Sequence, residues 1–137
     1  MSERAEGQFS VAGFVPADVK PAVEIATAMD TGVALMEKQF SGQVEGRSVT
    51  WFTGARNAES GAGSYVAFEA FEGSLNGVAG TFNFLHSAST HGDDAYGGFF
   101  AIVDASGTAG LAGITGSGGL VVDADGTHRI FFTYDLG

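Results

Sequence analysis

The sequence predicts an all-β protein, a single small antiparallel β-barrel of about eight strands. Three observations predict it. Glycine supplies 22 of the 137 residues and proline only two, and a glycine costs about 1 kcal/mol in a helix interior, so helix is disfavoured. Apolar and polar residues alternate with period two through most of the chain, as they do in strands with one buried face. These alternating runs recur at short intervals between turn residues, a spacing that suits barrels and sandwiches.

In chain order the runs cover residues 7–14, 33–41, 47–53, 64–75, 78–87, 95–104 and 127–136, with a glycine-interrupted stretch at 111–122. Residues 1–32 form a less regular N-terminal segment of what reads as one domain over 1–137. Only 17–29 has a spacing that suits a helix, and Pro21 weakens it, so it reads as a loop with at most one helical turn.

Two hairpins can be registered. Phe40-x-Gly42-x-Val44-x-Gly46 and Phe71-x-Gly73-x-Leu75-x-Gly77 share one pattern. In the second, Asn76-Gly77 is the pair favoured in a two-residue type I′ turn, where both positions need positive φ. That turn sets Leu75 opposite Val78, Phe71 opposite Phe82, Glu69 opposite Phe84 and Ala67 opposite His86, and the apolar faces match. A slip of one residue would destroy the match. The same register around Glu45-Gly46 sets Phe40 opposite Trp51. Between 107 and 119 glycine falls at every third position, which suggests bends and bulges where a barrel strand turns a corner.

Composition excludes several functions. Six Lys and Arg against 16 Asp and Glu leave a net charge of −10 and a pI near 4.4. Nucleic acid and anionic membrane surfaces are therefore not expected partners. There is no cysteine, so disulfides, thiolate metal sites and cysteine nucleophiles are excluded. The polar amino terminus does not read as a secretory signal, and the longest run of large apolar residues, 99–103, is far too short to span a bilayer. A cytoplasmic location is expected. No Gly-x-Ser-x-Gly elbow or dinucleotide fingerprint is present, and no cofactor is expected. The run from His86 to Asp94 mixes imidazoles and carboxylates but reads as a turn, so no metal site is expected there.

The segments 40–46, 71–87 and 106–113, together with the closing Tyr134-Asp135-Leu136, carry a resemblance. In order and together, they resemble an uncharacterised, mainly bacterial family with the allene-oxide-cyclase type of β-barrel. The chain departs from that family's usual pattern at Gln43, Ala109, Gly110 and Thr115. The resemblance implies an eight-stranded barrel around a central cavity. Better-known barrels of this architecture cyclise reactive intermediates without a cofactor, mostly by shaping an apolar pocket; that is an analogy of fold, and fold does not imply function.

The residues themselves point to a pocket. Tyr65, Ala67, Glu69 and Phe71 share one face, which continues across the hairpin into Phe82, Phe84 and His86. A glutamate among aromatics on an inward face would be desolvated, which raises its pKa and suits it to acid–base work. In the predicted register His86 lies diagonal to Glu69. Tyr134 shares a face with His128, Ile130 and Phe132, and its phenol could enter the cavity. Glu37 alternates with Val33 and Leu35. Tyr96, Phe100 and Ile102 share another face.

The candidate catalytic residues are thus Glu69, His86 and Tyr134. The candidate ligand-binding residues are Tyr65, Phe71, Phe82, Phe84, Phe100 and Phe132. The expected function is binding of an apolar, polyketide-, terpene- or lipid-like molecule, with cofactor-independent cyclisation or isomerisation as the chemistry. Glu69 would be the acid or base, so Glu69→Gln should slow turnover by about 10²–10⁴-fold with the fold intact. The alternatives are a non-catalytic carrier of an apolar ligand, and a filled-core homo-oligomer without a ligand whose strands, such as 127–136, pack between subunits.

Overall fold

Eight strands run up and down in succession: β1 (Glu3–Ala17), β2 (Asp30–Gly42), β3 (Val44–Arg56), β4 (Gly63–Leu75), β5 (Val78–Thr90), β6 (Tyr96–Ile102), β7 (Thr115–Val122) and β8 (His128–Asp135). The computed structural model describes residues 2–137. All pairings are antiparallel, in the order β6-β5-β4-β3-β2-β1-β8-β7. The sheet curls into a nearly closed barrel whose edges, β6 and β7, approach each other. A single 3₁₀ turn, Ala109–Leu111, is the one helical element among the described residues. Among the described residues no helix is long and apolar enough to cross a membrane.

The β4–β5 hairpin has the predicted register: Leu75↔Val78, Phe71↔Phe82, Glu69↔Phe84 and Ala67↔His86. Asn76 at φ 50° and Gly77 at φ 81° take the two positive-φ positions of the turn. The β2–β3 hairpin differs. Phe40 faces Gly46 and Trp51 faces Leu35. The chain reverses at Gly42-Gln43, not at Glu45-Gly46, because Gly46 belongs to the ladder with β4. A Cβ on Gly46 would lie 2.2 Å from the Glu72 carbonyl oxygen, so its strand is pressed against β4 there. Trp51 consequently points outward, 58% exposed, beside Phe68.

Two further segments depart from expectation. β1 is 15 residues long, with a bulge between Val11 and Gly13, so the irregular part narrows to residues 18–29. The glycine-rich run is not one cornered strand. Its first half is a loop with the 3₁₀ turn, and its second half is edge strand β7.

Burial divides the barrel. Phe40, Phe71, Phe82, Phe84, Phe132 and Tyr134 interlock at the end where the β2–β3 and β4–β5 turns lie. Leu111 and Ile114, carried there by the glycine-rich loop, are fully buried in the same cluster. Each such side chain contributes about 1.5–3 kcal/mol through burial. At the seam, Phe100 of β6 stacks on Phe84 at 5.2 Å and meets Phe132 edge-on at 5.6 Å. Gly118 of β7 makes room for that ring, since a Cβ there would sit 2.9 Å from Phe100 and 2.2 Å from the Phe131 carbonyl oxygen. Gly118→Ala should therefore destabilise the fold by about 1–3 kcal/mol, read as a lower urea midpoint. An unchanged midpoint would mean the seam does not depend on this close approach.

Candidate functional site

Strand alternation carries polar side chains into the waist of the barrel. On β2 the inward phase is Ala34, Met36, Lys38 and Phe40; on β3 it includes Ser48, Thr50 and Phe52. β4 contributes Ala67 and Glu69, and β5 contributes Phe84 and His86. Just above the aromatic cluster these elements bring together Lys38, Ser48, Glu69 and His86, all buried.

Glu69 is the centre of this group, with no exposed surface. Its Oε2 accepts from the Lys38 ammonium at 2.7 Å and from His86 Nε2 at 2.6 Å, while Oε1 accepts from Ser48 Oγ at 2.8 Å. Burial alone pushes the carboxyl pKa up and is the largest single influence. The hydrogen bond from His86, with the charge and hydrogen bond of Lys38, outweighs it, and the pKa is lowered to about 2. The raised pKa expected from desolvation is thus overturned by a lysine that the aromatic face of β4 did not reveal. The Lys38 ammonium also lies 4.9 Å from the centre of the Phe9 ring, a second source of stabilisation for the cation.

An ionised Glu69 has no proton to donate, so His86 carries hydrogen on Nε2. In the neutral imidazole Nδ1 then accepts, and its partner is the Tyr65 phenol at 2.9 Å. His86 lies diagonal to Glu69 across the β4–β5 ladder, as the sequence predicts, and the two side chains bond directly. Tyr65 is half-buried, stacked on Phe52 at 5.2 Å, and its pKa is raised by burial and by the Glu69 charge. The Thr50 hydroxyl, opposite Glu69 in the ladder, is buried without a hydrogen-bond partner among the described residues.

Tyr65 also lines a largely apolar cavity of about 660 Å³ at the open end of the barrel, with Phe14, Ala34, Phe52, Arg56 and Ala88. A hydroxyl–imidazole–carboxylate chain therefore runs from the cavity wall to the buried ion pair. Such a chain can pass a proton between a bound molecule and the interior, with Glu69 holding the imidazole tautomer and facing any positive charge that arrives there.

The other candidates lie elsewhere. Tyr134 is buried near the closed end, where its hydroxyl accepts from Asn76 Nδ2 at 2.9 Å. Phe71, Phe82, Phe84 and Phe132 pack in the core cluster, and Phe100 closes the seam against them. None of these six residues lines the cavity. Glu37 points outward, and Tyr96 stacks on His91 at the surface, with ring centres 4.4 Å apart.

Sequence reasoning missed Lys38 and Ser48. Within Glu37-Lys38-Gln39 a lysine looks like solvent-facing polarity. The signal that could have found it is phase: Phe40 is a core residue, and Lys38 lies two positions before it on the same face.

Two outcomes follow from the buried pair. Removing one partner strands a charge, so Lys38→Met or Glu69→Gln alone should cost about 3–5 kcal/mol, and the double variant should cost less than either. Urea midpoints of the three proteins test this; additive losses would refute the coupling. In pH terms, a carboxyl lowered from 4.5 to about 2 adds stability that is complete above about 4.5 and is lost as the pH falls through about 2. Urea melts from neutral pH downward should show that acid-side loss in the wild type, and a smaller one in the double variant.

No curated protein matches the chain. Among solved structures, it is similar to a protein of unknown function of the DUF3224 family from Shewanella oneidensis MR-1. The two are 24% identical over 98% of this chain and 97% of the other, with a TM-score of 0.84, a likeness of fold. The family described as "Protein of unknown function (DUF3224)" matches residues 5–134, from β1 to β8, and the chain belongs to that family.

Proposed function

We propose that the protein binds a mostly apolar small molecule in the open-end cavity and moves a proton on it through Tyr65, in a cofactor-independent isomerisation or cyclisation. The observation that carries this reading is the position of Tyr65, which lines the cavity and is hydrogen-bonded to His86, itself bonded to Glu69. The sequence segments that resemble a family with the allene-oxide-cyclase type of barrel support the same class of chemistry, by analogy of fold alone.

The proton balance is simple. The substrate gives a proton to the Tyr65 oxygen while the phenol passes its own to His86 Nδ1. The imidazolium that forms is faced by the Glu69 carboxylate. The reverse movement returns a proton to a different atom of the same molecule, which leaves the product isomeric and the site reset. Because the Tyr65 pKa is raised, the phenol passes the proton along in concert and does not rest as phenolate. Glu69 keeps its charge throughout. Its role is to orient and stabilise the imidazole, in place of the acid–base role expected from sequence.

The test begins with native mass spectrometry of the purified protein, then extraction and identification of any retained molecule. Incubated with that molecule in deuterated water, the wild type should incorporate label about 10²–10⁴-fold faster than Tyr65→Phe. Phenylalanine preserves the ring and the cavity wall. A retained molecule that gains no label would refute proton transfer and identify a carrier. Labelling at equal rates by both proteins would refute the role of Tyr65.

A further inference from the structure

Three charged side chains line the cavity: Asp30, Arg56 and Asp94. Asp94 accepts from His91 Nδ1 at 2.7 Å and is already engaged. Arg56 differs from the other arginines. Arg4 pairs with Glu6, Arg47 with Glu72 and Arg129 with Asp123, whereas Arg56 has no carboxylate at ion-pair distance among the described residues. It occupies the last inward position of β3, after Ser48, Thr50, Phe52 and Gly54. Asp30 is its ladder neighbour on β2, yet the two side chains form no ion pair.

Position relates this cation to the proton-carrying end of the site. Gly54 faces Tyr65 across the β3–β4 ladder, and Arg56 lies two residues further toward the mouth. Along a strand that offset is about 7 Å. A molecule with an anionic group at Arg56 would lay its apolar body against Phe52 and Ala34, neighbours in the β2–β3 ladder, and bring an interior atom to Tyr65.

We propose that the ligand is an apolar molecule ending in a carboxylate, and that Arg56 anchors that carboxylate at the cavity mouth. The inference rests on the reading of the cavity as an apolar binding site and adds the chemical class of its occupant. Guanidinium suits the task because its planar fork matches a carboxylate with two parallel hydrogen bonds. Asp30 opposes the anion from the neighbouring strand, so its charge sets an upper limit on the affinity.

Calorimetric titration with decanoate and with decanol, two probes sharing one apolar chain, tests the anchor. Wild-type protein should bind decanoate about tenfold more tightly than decanol, and the preference should shrink with added salt. Arg56→Gln should lose the preference while its affinity for decanol is unchanged. Asp30→Asn should enlarge the preference. Equal binding of both probes by the wild type would overturn the carboxylate anchor and leave the apolar cavity standing. A preference that survives in Arg56→Gln would also overturn it. Binding of neither probe would overturn the cavity reading, and this inference with it.

Discussion

A carboxylate held ionised inside a barrel constrains everything around it. Glu69 has no contact with solvent, and its charge is tolerable only because three donors converge on it from three different strands. Lys38 comes from β2, Ser48 from β3 and His86 from β5, so the bonds reach across four consecutive strands of the sheet. A slip of one residue in any of these ladders would turn a donor outward and leave the charge uncompensated. The polar waist therefore specifies register as strictly as the aromatic core does, and it marks the level at which the barrel changes from filled to open.

Below that level the interior is set by ring size. Phenylalanines from β2, β4, β5 and β8 fill the closed half through edge-on and tilted contacts, and the glycine-rich loop delivers Leu111 and Ile114 to its floor. Above it, inward positions are taken by smaller or more widely spaced residues, among them Ala34, Gly54 and Ala88, and a cavity results. The same barrel thus holds a packed core and a pocket because the volume of the inward side chains falls toward one end. Tyr65 stands at the boundary, with its ring against Phe52 and its hydroxyl on His86.

Much of this was legible from residue order. Asn76-Gly77 determines a turn through the φ values it permits, and the register of β4 on β5 follows for thirteen paired positions. That register was enough to bring Glu69, His86 and Tyr65 to one face. The β2–β3 register was not legible in the same way, because Gly42 and Gly46 both offer positive φ. What decided between them is the close approach of Gly46 to β4, a contact between segments that are distant in sequence. Nor does the phase of Lys38 stand out: it shares the face of Phe40, but between Glu37 and Gln39 it reads as surface polarity, and without its charge desolvation predicts a raised pKa for Glu69 where the structure lowers it. The aromatic residues read as core first and pocket lining second; the candidate phenylalanines fill the core and Tyr65 lines the cavity. Alternation tells which face of a strand is inside, but it does not tell at which height the interior is full.

The corrected charge state changes which group is suited to exchange a proton. A carboxyl with a pKa of about 2, held by three donors, fully buried and absent from the cavity wall, has no proton to give and does not reach a ligand there. The phenol has the opposite properties. It keeps its proton, it is partly open to the cavity, and it can accept a proton only as it releases one to the imidazole behind it. Glu69 would then act at a distance of one residue, by fixing Nε2–H and so reserving Nδ1 for Tyr65. Lys38 is needed for the same reason, since without it burial would favour the neutral acid, and a protonated Glu69 could donate to Nε2 and reverse the imidazole tautomer. Under the proposed chemistry the buried ion pair and the tyrosine are one device, in which a charge that never moves sets the direction in which a proton can.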